Sequence, residues 1–326
     1  MLRYFFKRLL LIIPTLLGVM LIIFTITYFI PGDPAKMALG SNYTEEAYQA
    51  KREEMGLNKP FVQRYVDYVV GFVTRLDLGT SYDSGWTVSS MIFSSRMGIT
   101  VKLGLLSCLI TIVFGIGIGI LSAVKKYTLV DSSILVISMF FSSVPNFCLG
   151  LFMIYFFSVK LGVLPATGIT TIKGFVMPIA VIALISMSRY TRITRSSMLE
   201  SLSNDFIRTA RAKGQKESKI TIRHALRNAL IPVINAVGTQ MGHQLGGALV
   251  LETVFGIPGV GKYVADAILS RNYPSLLGGV LTMAILVTVV NLIVDLLFVV
   301  IDPRLKKSLL SSKKIKKVKV CPEGGR

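Results

Sequence analysis

Five ionisable side chains lie inside or beside the long apolar runs of this 326-residue chain: Lys102, Asp131, His243, Glu252 and Asp295. Charge is costly in hydrocarbon, so such groups mark ion relays, substrate paths or paired structural contacts. Lys102, Asp131 and Glu252 fall near the ends of their runs, where a side chain can reach the interface. Asp295 follows Asn291 by four residues, on one helical face, as a local polar pair or an interhelical contact would require. His243 sits in the middle of VGTQMGHQLGGALV. With Gln240 and Gln244 it is the candidate lining of a polar path; a buried, hydrogen-bonded imidazole is the structural alternative. The runs hold no paired acids and no His-x-x-x-His, so a membrane-embedded enzyme would lack its machinery. An ion-coupled secondary transporter should show inverted repeats and midplane acids, and the sequence shows neither.

Two glycine patterns suggest nucleotide chemistry and then withdraw it. Gly115, Gly117 and Gly119 stand in VFGIGIGIL without the strand–turn–helix context of a dinucleotide site, so close helix packing is the expectation. Gly256-Ile-Pro-Gly-Val-Gly-Lys262 fits G-x-x-x-x-G-K. Yet Tyr263 replaces the hydroxyl residue that would hold Mg²⁺, and Pro258 removes a backbone donor. An ATPase driving this chain must therefore be another polypeptide. Cys108, Cys148 and Cys321 have neither disulfide nor metal-ligand spacing. No cofactor and no metal site is expected.

The elements that must position these residues are membrane helices. Hydrophobic residues make up 52% of the chain and charged residues 16%, against about 25% charged in soluble proteins; mean hydropathy is +0.64. A span needs about 20 apolar residues. Six runs qualify: Leu9–Ile30, Ile99–Val124, Leu129–Phe157, Phe175–Ser188 (continuing helically past Arg189), Leu230–Leu251 and Leu277–Ile301. The first run is too long for a signal-peptide core and is read as an uncleaved span. Net charge is +19, and its Lys and Arg crowd three places: the N-terminus, the stretch from Arg189 to Arg227, and the tail after Ile301. The positive-inside rule then places both termini in the cytoplasm and residues 31–98 outside. The basicity is thus a topology signal, and nucleic acid is not an expected partner. The tail run Lys313–Lys319 is read as a solvated, disordered segment, with contact to anionic membrane lipid as the alternative.

Four divisions follow: 1–30, cytoplasmic end and first span; 31–98, an extracytoplasmic segment; 99–301, the transmembrane core; and 302–326, a basic cytoplasmic tail. Within the core, residues 204–232 form a polar, basic island. Phe206, Ile207 and Ala210 mark one short helix, and Ile220, Ile222, Ala225, Leu226 and Ala229 mark another. Gly214 stands between them, where a left-handed backbone ends a helix at little cost. This helix–turn–helix is tethered to spans at both ends, which disfavours DNA binding and suits a soluble protein partner. In the outer segment, Phe61–Leu76 is amphipathic, with Phe61, Tyr65, Tyr68, Val69, Phe72 and Val73 on one face. That face must bury against its own domain or a partner.

Asp205-Phe-Ile-Arg-Thr-Ala-Arg-Ala-Lys-Gly214 followed by His224-Ala-Leu-Arg-Asn-Ala-Leu-Ile-Pro232 resembles the cytoplasmic coupling motif of the dipeptide/oligopeptide/nickel permease family, the membrane subunits of binding-protein-dependent ABC importers. Further resemblances are Pro31-Gly-Asp-Pro34, Gly56-Leu-Asn-Lys-Pro60, Asp77-Leu-Gly-Thr-Ser-Tyr82, Leu164-Pro-Ala-Thr-Gly168, Glu252-Thr-Val-Phe-Gly-Ile-Pro-Gly-Val-Gly261 and Asp302-Pro-Arg304. The wider importer motif reads E-A-A-x-x-x-G and then I-x-L-P. Arg208-Thr-Ala210 and His224-x-Leu-Arg227 stand in those places, which leaves Gly214 as the firm anchor.

The resemblance implies an all-α integral membrane protein with a type I ABC importer permease fold of six transmembrane helices, the first of two permease subunits, in a bacterial or archaeal cell membrane. It implies a second, homologous permease subunit, two cytoplasmic ATP-binding subunits and an extracytoplasmic solute-binding protein; this chain would be a transport subunit and not itself an enzyme. The coupling loop would comprise Asp205, Arg208, Ala210, Arg211, Lys213, Gly214, His224, Arg227 and Pro232. The outer layer, including Glu53, Glu54, Gly256 and Gly259, is the expected dock for the binding protein. Peptides are the default substrate of that family, and nickel or a metal chelate is the alternative.

Overall fold

The computed structural model describes residues 2–30, 32–40 and 42–301, and their side chains apart from those of 2–7, 37, 239, 241, 243, 245, 247, 248 and 297–301. The tail 302–326, with its basic run and Asp302-Pro-Arg304, lies outside the described residues. Backbone in hydrocarbon must satisfy its own hydrogen bonds, and the long apolar runs do so as helices. In chain order these are α1 (Leu2–Phe29), α2 (Pro34–Leu39), α3 (Glu45–Glu54), α4 (Phe61–Arg75) and α5 (Val88–Met91). A π turn, Ile92–Arg96, joins α5 to α6 (Met97–Val124). Next come α7 (Leu129–Ser143), α8 (Asn146–Met153), α9 (Lys173–Ser203), α10 (Asp205–Ala212) and α11 (Glu217–Lys219). The last are α12 (Leu226–Val254), α13 (Val260–Leu269) and α14 (Tyr273–Ile301).

Four stretches are long and apolar enough to cross a membrane alone: Arg8–Phe29, Val88–Val124, Lys173–Ser203 and Tyr273–Leu296. The third expected span is not straight. Leu129–Ser143 and Asn146–Lys160 meet at 101°. The cause is Pro145, whose ring forces the preceding residue out of the helical region; Val144 adopts φ −83°, ψ 128°. Taken as one broken span, the pair makes a fifth. α12 has 29 residues, about 43 Å at 1.5 Å per residue, which is enough to cross. It carries many amides and glycines and packs between α9 and α14, so the bundle shelters a helix that is not uniformly apolar. The fourth expected span, Phe175–Ser188, is the first half of a 31-residue helix that runs on through Arg189 to Ser203.

α9 is the centre of the bundle, packed by α6, α7 and α12. Its closest neighbour is α6, and the predicted glycine packing is the reason. A Cβ on Gly115 would lie 2.9 Å from Tyr190 Cβ, and one on Gly119 would lie 2.6 Å from Thr194 Cβ. Gly117, on the other side of the helix, would meet nothing. Only the small-x-x-x-small pair at 115 and 119 therefore sets the approach. The main apolar core joins Leu103 of α6, Leu149 of α8, Met177, Val181 and Ile182 of α9, and Leu251 and Phe255 at the end of α12. A second cluster on the outer side joins Met20, Leu78, Val88, Ile92, Val260, Tyr263 and Leu281. There α4 lays Tyr65, Tyr68, Val69 and Phe72 against α1 and its neighbours, so the aromatic face of the amphipathic stretch is half-buried on its own domain, while Val73, expected on that face, is exposed.

Two of the three charges expected to reach an interface, Asp131 and Glu252, are built into the structure instead. Asp131 is buried and accepts two bonds of 2.6 Å from Arg195 Nε and Nη2, with the Tyr127 N–H at 3.0 Å. This planar, two-pronged pairing is the geometry in which a guanidinium holds a carboxylate best. It locks the turn after α6 and the start of α7 onto α9. Asp295 pairs with Arg8 Nη1 at 2.9 Å, which realises the interhelical option by joining α14 to α1. Lys102 stays exposed on the flank of α6.

Candidate functional site: the coupling turn and the outer loop

α9 stops at Asn204, whose extended backbone (ψ 151°) turns the chain into α10. On α10, Ile207 and Ala210 point inward and join Met198 of α9, Ala123 of α6, and Ile220, Ala225 and Ala229 from the returning arm. Ser201 Oγ donates to the Ala225 carbonyl at 3.0 Å and closes the base of the hairpin. At the tip, Gly214 has φ +68°. Its N–H donates to the Arg211 carbonyl at 2.9 Å, and the Gln215 N–H donates to the Ala210 carbonyl at 3.3 Å. That pair of bonds is a Schellman closure, which needs a left-handed residue at this place. Nothing lies within 4 Å of where a Gly214 Cβ would stand, so the backbone angle and not lack of space selects glycine.

The rest of the turn faces outward. Asp205 and Arg208 are 3.7 Å apart with side chains 97% and 79% exposed. Arg211 spans the turn to Glu217, Nε to Oε1 at 2.7 Å. His224 Nε2 meets Gln215 Oε1 at 2.9 Å and steadies the residue after Gly214. Arg211's hydrogen bonds hold the Glu217 carboxyl below its ordinary range. Lys213 and Arg227 are exposed, and among them stand two exposed apolar side chains, Phe206 and Ile222. Pro232 lies inside α12; lacking an N–H, it cannot close the bond to the carbonyl of Asn228. The result is a rigid knob with an apolar base, a basic rim and two apolar contact points. Of the nine residues expected here, Ala210 is the one that is buried, and its side chain supports the base of the knob.

The outer loop has the opposite character. Glu252 is fully buried near the end of α12. Its Oε1 accepts from Thr100 Oγ1 of α6 at 2.6 Å, and its Oε2 from the Lys262 N–H at 3.1 Å. Thr100 Oγ1 in turn accepts from the Val260 N–H at 2.9 Å. The backbone donors that a phosphate-binding loop would offer are thus turned inward onto the protein's own carboxylate. Gly259 is buried against that carboxylate, and a Cβ there would collide with it. Of the loop residues expected at the dock, Gly259 thus turns inward. Gly256 (φ +59°) is half-buried; its Cβ position would lie 3.3 Å from Thr167 Cβ, in the Leu164–Gly168 segment. Glu53 and Glu54 are exposed at the end of α3, where Glu54 pairs with Lys51 at 2.9 Å.

The expected path residues separate. Gln240 accepts from Arg189 Nη1 at 3.0 Å. Gln244 is buried among Val101, Gly104 and Cys108 of α6 and Leu286 and Val290 of α14, beside a cavity of about 30 Å³. It therefore faces a helix junction and not an open surface. The side chain of His243 lies outside the described residues, as does that of Met241, which with it supported the nickel alternative. Arg189 is a residue that the charge count absorbed into a loop. It is exposed midway along α9, on one face with Arg192, Ser196 and Glu200. The helical pattern past Ser188 was the signal that it belongs to a span.

Comparison with known proteins agrees with this geometry. The family described as "Binding-protein-dependent transport system inner membrane component" matches residues 115–307, and its N-terminal companion matches residues 1–104. The dipeptide transport system permease protein DppB of Alkalihalophilus pseudofirmus is 37% identical over 334 residues, which covers 94% of this chain and all of that protein. The glutathione transport system permease protein GsiC of Pectobacterium atrosepticum is also 37% identical, covering 94% and 99%. The oligopeptide transport system permease protein AppB of Bacillus subtilis is 36% identical, covering 94% and 100%. Among solved structures, an inward-facing MetNI methionine ABC transporter chain superposes with TM-score 0.56 at 19% identity, over 66% of this chain and 98% of that one. That likeness is one of fold. With permease helices, a protruding basic turn and relatives matched along nearly their whole length, the chain belongs to the family of binding-protein-dependent transport system inner membrane components, the multi-pass permease subunits of ABC importers.

Proposed function

We propose that this chain forms one half of the translocation path of a peptide importer, with a homologous permease as the other half, two ATP-binding subunits beneath and a solute-binding protein above. The observation that carries the reading is the Asp205–Ala225 knob: its base is sealed into the bundle and its tip is exposed, so a force applied at the tip reaches α9 and α12 directly. Closure of the ATPase pair would shift the docked knob, and the rigid helices would carry that shift into a change of access. The peptide substrate rests on the relatives, which are named for dipeptide, glutathione and oligopeptide transport. Gln240 and Arg189 are the path residues that the geometry favours, because they meet on an exposed part of α9 and α12. ATP hydrolysis belongs to the partner chains.

The test is reconstitution in proteoliposomes with the second permease, the ATPases and the binding protein. Uptake of a labelled dipeptide that requires ATP and binding protein supports the reading. ATP-independent uptake driven by an ion gradient overturns it. Orientation is tested in intact cells with a membrane-impermeant thiol reagent. A cysteine at Ser84 should label and one at Ser218 should not; the reverse pattern would invert the topology.

A further inference from the structure

The outer segment 31–98 reads as polar and extracytoplasmic, yet α4 grips α1 well below the outer end of that span. Phe61 stacks edge-on to Phe24 and Tyr28 (centroids 5.4 and 5.0 Å apart), and Tyr65 does the same to Phe24 at 5.6 Å. Tyr65 Oη donates to the Leu17 carbonyl at 3.2 Å. Leu17 lies twelve residues before Phe29, the end of α1. That is about 18 Å along the axis, in a bilayer core about 30 Å thick.

The rest of α4 is split by angle. At about 100° per residue, Phe61, Tyr65, Tyr68, Val69 and Phe72 occupy one arc, the half-buried one that packs toward α1. Val62, Val66, Val70 and Val73 fall within the next arc of about 80°, and all are exposed, Val62 and Val73 by 68%. Gln63, Asp67 and Thr74 form the arc beyond it and are exposed too. The valine arc holds no polar side chain, while Asp67 on the next arc is paired with Lys59 at 2.7 Å. The valines therefore lie between a face that holds a membrane span and a face that holds water. α1 beside them also presents apolar side chains outward, Leu17, Leu21, Ile22 and Ile26 all being exposed.

We infer that α4 is an interfacial membrane helix whose valine arc (Val62, Val66, Val70, Val73) is covered by outer-leaflet lipid. The three-way division is that of a helix lying in the interface plane, with one face in the acyl boundary and one in water. Trp86, 67% exposed on the loop that follows, is the residue type that settles at that boundary. The segment would then be leashed to the membrane by α4, with only Pro34–Lys59 standing clear of it.

The experiment uses the assembled transporter in lipid nanodiscs, with Cys108, Cys148 and Cys321 replaced. Nitroxide labels go singly at Val66, Val70, Gln63 and Asp67, and their collision rates with oxygen and with a water-soluble nickel chelate are compared. Oxygen should dominate several-fold at Val66 and Val70, and the chelate at Gln63 and Asp67. Valine labels shielded from both reagents would show that a protein, the second permease or the binding protein, covers the arc and would overturn the inference. Valine labels open to the chelate would overturn it too. A second readout avoids the label: in a Trp86→Phe background, Val70→Trp fluorescence should be quenched by lipids brominated near the headgroup end of the chain, and Gln63→Trp fluorescence should not.

Discussion

The inner turn at Gly214 and the outer loop at Gly256–Gly261 are both glycine-marked turns after a helix, but their glycines do different work. At Gly214 the glycine supplies a left-handed angle in open space, and the neighbouring residues 211–213 and 216–219 are exposed. At Gly259 the glycine supplies room: its missing Cβ lets the chain close over the Glu252 carboxylate. The first turn leaves its tip open to solvent, as the proposed docking requires; the second is sealed by its own chain. A glycine chosen for angle leaves the surrounding surface free for a partner, whereas a glycine chosen for space marks a surface already used.

Breaking the sealed loop should have the largest effect. Glu252→Ala leaves the Lys262 N–H and the Thr100 hydroxyl unmatched in a buried site, a cost of about 3 kcal/mol. The purified complex should unfold several degrees lower and the loop should become accessible to protease; an unchanged melting temperature would show that the carboxylate is not what holds it. Gly259→Ala comes next, because a methyl group forced against that carboxylate costs about 1–3 kcal/mol. If it proves neutral, the loop has room that the geometry denies.

Gly214 provides the contrast. Gly214→Ala should cost only the left-handed backbone penalty, about 1 kcal/mol, because there is nothing to strike. Gly214→Glu should therefore insert and assemble normally, yet lose most of the ATPase stimulation by substrate-loaded binding protein. Normal stimulated ATPase activity in that variant would remove the tip of the turn from the docking surface. A melting temperature lowered as far as by Gly259→Ala would erase the distinction between the two turns.

What the sequence made legible follows from distance along the chain. The spans, the two short helices flanking Gly214 and the packing glycines at 115 and 119 are set by neighbours within a few turns, and each can be read from its own run. The charge partners could not be: Asp131 meets Arg195 across 64 positions, and Thr100 meets Glu252 across 152. A carboxylate near the end of an apolar run looks the same whether it reaches for water or closes a buried pair. The burial of Gly259 was hidden for the same reason, since exposure of a loop glycine depends on the helix behind it. The break at Val144-Pro145 was present in the sequence, and the apolar run on either side concealed it.

The smallest effect concerns the clasp between Arg211 and Glu217, the one ion pair that straddles the open turn. Both groups are exposed, so solvent screens the pair and its removal by Glu217→Gln should not measurably shift the melting temperature. The effect should instead be local and depend on pH. The hydrogen bonds from Arg211 lower the Glu217 carboxyl below its ordinary range in the folded state. A group depressed on folding contributes its stabilisation above the unfolded value and loses it as pH falls through the folded one. The clasp should thus be fully formed across the neutral range and open only in acid, below the ordinary carboxylate range. Amide exchange at Gly214 and Gln215, corrected for the intrinsic rate, should be only slightly faster in Glu217→Gln than in wild type at neutral pH, because the Schellman bonds carry most of the turn. Acid should raise it in the wild type to the level of the variant and abolish the difference. A large acceleration in the variant at neutral pH would mean that the clasp, and not the glycine angle, holds the turn in shape. The open turn would then resemble the sealed loop in depending on a carboxylate.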